Sequence, residues 1–484
     1  MGILGILLGL LFLIVLAFRS WSILLLAPAA ALVATFFAGE PLLASWTQIF
    51  MSGAAHFLAQ YFPLFLLGSL FGKLMDDSGS VSAIADFMTQ RFGTKHAILA
   101  VVLAGALVTY GGVSLFVAFF VLAPMSQTLF QAAAIPRRLM PAAIVLGTST
   151  FTMSSLPGTP SIQNAIPMPF LGTTPFAAPG LGIIASAVMF VFGMWWLKRT
   201  ANAAKYESEQ FGEGVPAEVN TIVNDQLIRE RATTAHEFDI AEITHGCHSK
   251  ALPTIIFAIL PIIVVIAVNF LMVLVILPRL DFSFLAREKW GATSLSAVAG
   301  VWSVVTALVA AIFVVLIINY KRLPKLRETI DAGANASVLP ALSVASLVGF
   351  GAVIASLPAF AVVRDWVLGI SGGPLVSLAT ATNILAAVTG SASGGLSIAL
   401  DSLGSTYLAL AQKYGIDPAL LHRIAVISSG TLDSLPHNGA VVTLLAVCQS
   451  THRESYLDIM VVGIVGAIIA LSVVIVLGSI FGSF

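Results

Sequence analysis

Apolar runs separated by short polar breaks fill almost the whole chain. They cover residues 2–17, 21–38, 58–75, 96–110, 113–133, 139–178, 179–198, 251–275, 292–318, 337–358, 373–390, 393–413, 418–448 and 458–480. Charge-poor runs of this length match the hydrocarbon thickness of a bilayer, and they predict membrane helices. Two of them, 139–178 and 418–448, are interrupted by proline and hydroxyl residues. One long hydrophilic stretch, 199–250, reads as a solvated connector, including a helical segment over 219–242. The first run has no positive charge ahead of it, because the first charge is Arg19, and a second run follows from Trp21 to Phe37. That order predicts two retained helices rather than a cleaved leader.

Composition agrees. The chain has 484 residues, 58% hydrophobic and 10% charged, with a mean hydropathy of +0.99, whereas a soluble domain averages about 25% charged residues. Lipid is therefore the expected solvent. The net charge of zero supplies no basic field for nucleic acid. Cys247 and Cys448 are far apart and make no disulfide framework. Thr244-His245-Gly246-Cys247-His248 lacks the second ligand pair of a zinc site and reads as an ordinary loop. No metal, cofactor or enzymatic activity is expected.

Lys/Arg bias orients the spans. With Arg19 in the cytoplasm, the same side collects Lys73, Arg91, Lys95, Arg137, Arg138, the 199–250 connector, Lys321, Arg322, Lys325, Arg327 and Arg453. Loops 39–57 and 276–291 fall outside. The basic, then amphipathic, stretch 321–338 reads as an interfacial arm. The expected location is a bacterial-type inner membrane.

A repetition is the strongest internal signal. Thr152-Met153-Ser154-Ser155-Leu156-Pro157 and Thr431-Leu432-Asp433-Ser434-Leu435-Pro436 share T-x-x-S-L-P, 279 residues apart. The same shift carries Ser149 onto Ser428, Gly111 onto Gly390, Ser114 onto Ser393 and Phe71-Gly72 onto Phe350-Gly351. A constant register predicts a duplication, and the span count gives the halves opposite orientation. The expected fold is an all-α polytopic membrane protein of two inverted-topology repeats with interrupted helices or re-entrant hairpins. The expected parts are N-terminal scaffold helices (1–50), a first repeat (51–198) broken at 152–160, and the connector (199–250). Linking helices and the arm (251–336) then lead to a second repeat (337–484) broken at 431–439.

Prolines in the two breaks remove donors and clash with preceding carbonyls. Irregular backbone at membrane depth is tolerated where it is buried in protein or lines a cavity. Amides freed at a half-helix N-terminus suit a carboxylate, and freed carbonyls suit a cation. Thr152, Ser154, Ser155, Gly158, Thr159, Thr431, Ser434 and Asn438 are candidate substrate contacts on this ground. A second pair of breaks adds Gly111, Gly112 and Ser114, and Ser391 and Ser393; their small residues suit ligand approach or helix packing. Asn164 and Asn383 suit substrate hydroxyls or helix–helix bonds.

Charge within a membrane is costly and tends to mark function. Asp433 and His437 at the second break, and Asp401 within a run, are candidates for proton coupling. Asp433 equally suits a helix cap, and Asp401 a bond to a neighbouring helix. Asp76-Asp77 and Arg364-Asp365 read as interfacial charges.

Phe71-Gly72-Lys73-Leu74-Met75 with Asp77-Ser78-Gly79, Tyr110-Gly111-Gly112-Val113-Ser114-Leu115-Phe116 and Ser155-Leu156-Pro157-Gly158-Thr159-Pro160 resemble the gluconate permease (GntP) family of proton symporters. The resemblance runs over nearly the whole chain. Gluconate carriers usually have a histidine- and proline-rich turn at the first break. Ser-Leu-Pro-Gly-Thr-Pro, with Gln163-Asn164-Ala165-Ile166-Pro167, looks more like the 3-hydroxybutyrate and short-acid permeases. The resemblance implies an elevator-type, commonly dimeric carrier. Proton-coupled import of a small organic monocarboxylate is the expected function, with sodium coupling on the same fold as the alternative. A membrane hydrolase using Ser434 and His437 would lack an orienting third group and has no use for a duplicated break. Titratable groups within the spans favour a carrier over a passive channel.

Overall fold

The computed structural model describes residues 2–17, 21–206, 249, 251–436 and 438–484. Arg19, His437 and residues 207–248, with the 219–242 segment and the 244–248 cluster, lie outside the described residues. Every element among the described residues is helical.

The N-terminal pair is α1 (Gly2–Ala17) and α2 (Ile23–Ala38), packed on each other. Next come α3 (Leu42–Asp77), α4 (Ser80–Phe92), α5 (Ala97–Tyr110), α6 (Leu115–Ala132) and α7 (Met140–Thr148). An irregular stretch with three short helical turns leads to α8 (Pro179–Tyr206). Two linking helices follow, α9 (Ile255–Leu271) and α10 (Leu295–Asn319), joined through short turns. The second half holds α11 (Leu326–Ala336), α12 (Val338–Ser356), α13 (Phe360–Leu368), α14 (Gly373–Thr389), α15 (Ala392–Tyr414) and α16 (Pro418–Thr431). It closes with α17 (Gly439–Val447) and α18 (His452–Phe481).

The 279-residue shift acts on elements as well as on motifs. It carries Asp77, the end of α3, onto Ser356, the end of α12, and Tyr110, the end of α5, onto Thr389, the end of α14. Both halves therefore run through the same order of helix, short helix, hairpin, broken helix and long helix.

Among the described residues, seven helical stretches are long and apolar enough to cross a bilayer, or eight when the pair 80–92 and 94–110, bent by 100°, is taken as one. Large apolar side chains face outward along them, among them Ile183, Ile256, Phe313, Ile317 and Ile480. Water would penalise that surface, and hydrocarbon does not. The chain is a multi-pass membrane protein. Its 14-residue α5 is about 21 Å long at 1.5 Å per residue, short of the roughly 30 Å hydrocarbon core. An α5 that starts at one membrane face therefore ends short of the other, and α5 and α6 pack on each other as a hairpin. α14 and α15 form the equivalent hairpin. They approach closely at Gly395, where a Cβ would lie 2.3 Å from the Ala386 amide.

Three expectations need correction. The expected outer loop at 39–57 is largely helix, because α3 begins at Leu42 and absorbs Gln48 and His56 into one continuous rod. The 321–338 arm is not merely interfacial: Thr329, Ala332, Gly333 and Ala336 of α11 are buried, and α11 packs on α3. Asp77 is not an interfacial charge either. It is fully buried, pairs with Lys73 Nζ at 3.0 Å and accepts from Thr329 Oγ1 at 2.6 Å. A buried charge needs such partners, and α11 supplies one from across the chain.

Candidate functional site

Both hairpin tips and the first break meet in one cavity of about 190 Å³. The first tip contributes Thr109, Gly112, Val113 and Ser114, with Leu115 and Phe116 from the start of α6. The first break contributes Met153 and residues 160–163, and the second tip contributes Ser393. The far wall is Leu64, Phe65, Gly68 and Ser69 of α3 with Pro340 and Val344 of α12. No ionisable side chain is among these residues.

The tip geometry follows from its sequence. Gly112 has φ +94, and a Cβ there would lie 2.9 Å from Pro160 Cγ. Only glycine accepts that conformation without strain while letting the tip touch the break. Ser114 starts α6 without capping it by its side chain, and the helix N-terminus opens on the cavity. Tyr110 anchors the tip by donating to Pro157 O at 2.8 Å.

The first break is held carbonyl by carbonyl. Arg423 Nη1 donates to Ser155 O at 3.1 Å, and its Nε and Nη2 donate to Ala177 O at 3.0 and 2.6 Å. Asn269 donates to Gly158 O at 3.1 Å, and Asn164 Nδ2 donates to Thr159 O and Pro175 O, each at 3.0 Å. His422 Nε2 bonds Asn164 Oδ1 at 3.1 Å, and its Nδ1 bonds Thr173 Oγ1 at 2.6 Å. A carbonyl oxygen only accepts, so Nε2 carries a proton. The backbone polar groups that the prolines release are thereby satisfied within protein, as membrane depth requires.

The second break holds the second tip. Asp433 Oδ1 accepts from the Ala392 amide and from Asn438 Nδ2, both at 2.9 Å, and Asn438 Nδ2 also donates to Gly390 O at 2.8 Å. Ser391 Oγ takes the Gly394 amide at 3.2 Å and lies 3.2 Å from Ser393 Oγ.

Of the residues singled out from sequence, Gly112, Ser114 and Ser393 line the cavity. Gly111, Ser391, Asp433 and Asn438 shape the tips behind it. Gly111 packs on α9, where a Cβ would lie 2.6 Å from Ile262. Thr152, Ser154 and Thr431 turn their hydroxyls onto carbonyls of nearby turns. Ser155 Oγ faces Met189 Sδ at 3.7 Å, and the Ser434 carbonyl accepts from Tyr456. Gly158, Thr159 and Asn164 belong to the satisfied break rather than to the cavity wall. Asn383 sits within α14 and donates to Ala379 O at 2.8 Å. Asp401 is exposed on α15 and is not among the residues that line the cavity. Sequence reasoning passed over His422 and Arg423, both 0% exposed. The signal was present: two titratable residues in the apolar segment 418–431, subject to the same rule that selected Asp401.

Residues 1–199 match the model of the GntP family permeases. An uncharacterized transporter of Bacillus subtilis (strain 168), YxjC, is 38% identical over 460 residues, covering 93% of this chain and 93% of that one. Two solved structures share the fold. MtrF of Neisseria gonorrhoeae, described within a class of antimetabolite efflux pumps, aligns with a TM-score of 0.53 at 15% identity over 89% of this chain and 83% of its own. The YdaH transporter of Alcanivorax borkumensis, described as having an unusual topology, aligns with a TM-score of 0.53 at 15% identity over 88% and 86%.

Proposed function

This chain belongs to the GntP family of permeases, and from that premise we propose that it imports a short organic monocarboxylate, of the 3-hydroxybutyrate kind, together with protons. The observation that carries this reading is the α6 N-terminus, which opens without a side-chain cap on a cavity with no ionisable side chain among its described lining residues. First-turn amides and the helix dipole favour a carboxylate there. A single negative charge is the most that such a neutral cavity balances well.

The walls favour a short acid over a polyol. Leu64, Phe65, Val113, Phe116, Met153, Ile162 and Val344 are apolar. Two of the lining hydroxyls are already committed, Thr109 to Gly105 O and Ser161 to Met153 O. Ser69, Ser114, Gln163 and Ser393, the last already 3.2 Å from Ser391 Oγ, are too few for the hydroxyls of a sugar acid, and each unpaired buried hydroxyl costs affinity.

The satisfied first break supports protons over sodium. A cation held by freed carbonyls would compete with Arg423, Tyr110, Asn269 and Asn164 for Ser155 O, Pro157 O, Gly158 O and Thr159 O. Coupling is assigned to titratable groups at the second break, Asp433 and His437. The cavity lies between the hairpins and the α3–α12 wall, which suits an elevator in which the hairpins and broken helices slide against that wall.

Uptake of labelled 3-hydroxybutyrate into proteoliposomes tests this directly, with proton and sodium gradients imposed separately and gluconate as competitor. Accumulation under a proton gradient, abolished in Asp433→Asn and weakly competed by gluconate, is expected. Accumulation under sodium alone would overturn the coupling, and inertness to both acids would overturn the substrate class.

A further inference from the structure

The two hairpin tips end differently. At the first, α6 begins at a serine that does not cap it. At the second, the 23-residue α15 begins against a carboxylate of the chain itself, with Ala392, its first residue, donating its amide to Asp433 Oδ1 at 2.9 Å. Asn438 Nδ2 adds a second donor to the same oxygen at 2.9 Å. Asp433 is 8% exposed, and Ser114 and Ser393, one from each tip, line a common cavity.

The repeat identifies the difference as a substitution. The 279-residue shift places Asp433 on Ser154, a neutral residue whose hydroxyl donates to Thr150 O at 3.0 Å. One tip thus offers its helix N-terminus to the cavity, and the other has its amide and an asparagine amide taken by an internal anion. A second substrate carboxylate arriving at α15 would find those donors engaged. Lost hydrogen bonds act against it.

We propose that Asp433 is a specificity-determining residue: it stands in for a substrate carboxylate at the second tip and restricts the permease to acids with one carboxylate. The inference rests on the monocarboxylate reading above. It goes beyond that reading by naming the residue that excludes dicarboxylates.

The test uses the full chain purified in detergent, with equilibrium binding and thermal unfolding as readouts, separate from any role of Asp433 in coupling. Asp433→Ser copies the first repeat, and Asp433→Asn keeps the shape and one acceptor oxygen. Wild type is expected to bind 3-hydroxybutyrate and not succinate. Asp433→Ser is expected to gain succinate binding by about tenfold or more, the scale of one recovered charge-assisted hydrogen bond. Formate is expected to raise the Tm of Asp433→Ser, with chloride at equal ionic strength inert and wild type unresponsive to either. Recovery of Asp433→Ser only in formate counts as the same result. Folded variants that both exclude succinate as wild type does, or a formate response shared equally by wild type and variant, would overturn the proposal. The formate readout is independent of the substrate. Formate rescue with wild type blind to 3-hydroxybutyrate would sink the substrate assignment and leave the internal anion standing.

Discussion

Arg423 shows how much one side chain does at membrane depth. Its three nitrogens satisfy two carbonyls, Ser155 O and Ala177 O, on either side of the proline break. Gly182 packs so closely here that a Cβ would lie 2.5 Å from Ser155 O and 3.2 Å from Arg423 Nε. Arg423→Lys keeps the charge but loses the planar fork that reaches both carbonyls. It is expected to cost about 1–3 kcal/mol, the penalty of leaving one buried acceptor unpaired. Thermal unfolding in detergent, read beside uptake at matched expression, checks this; an unchanged Tm would mean that water replaces the guanidinium. Asn164 is held by the same kind of bond. Sequence left it open between ligand and helix bond, and its amide proves committed to Thr159 O, Pro175 O and His422.

Among the elements, the hairpin tips are the sensitive parts. The first tip turns on Gly112 in the left-handed region and rests on Pro160. Gly112→Ala adds strain of about 1–2 kcal/mol for a positive φ and drives a methyl into the break. Uptake is expected to fall severalfold more than stability alone explains if the cavity that this tip lines is the proposed substrate site. Comparing KM with Tm separates the two; a lower Tm with unchanged KM would reduce Gly112 to a packing residue. The turns were legible in sequence because Gly111-Gly112, Pro157, Pro160, Gly390 and Pro436 cannot continue a helix. What those turns touch was not legible. Tyr110 reaching Pro157 O and Asp433 reaching the Ala392 amide are contacts across 47 and 41 residues, and local propensity carries no information at that range.

For the whole molecule, the repeat makes a topological prediction. α6 and α15 are equivalent arms, and both Ala132 at the end of α6 and Gln412 near the end of α15 are exposed. If the halves are inverted, Ala132→Cys should react with an impermeant maleimide only from the cytoplasm and Gln412→Cys only from outside. Labelling of both from one side would rule out inversion and with it the elevator. The experiment is run on a Cys247→Ser background, and the buried Cys448 adds little labelling of its own.

By itself the amino-acid sequence determined the solvent, the helical class, the repeat and the four breaks, because each is written in local composition: apolar length, charge scarcity, proline, glycine and a constant register. It also singled out Gly112, Ser114 and Ser393, three of the residues that line the cavity. Tertiary structure alone decided which polar groups face the cavity and which are spent on the backbone. A freed carbonyl in a membrane must find a donor somewhere, and the donors here come from α5, α9 and α16, brought together only by packing. The same packing buried Asp77 with Lys73 and Thr329, tied the Asn164 amide to Thr159 O and Pro175 O, and put the Asp433 carboxylate on the N-terminus of α15. Each of those outcomes depends on distances between segments far apart in the chain, and no periodicity records them.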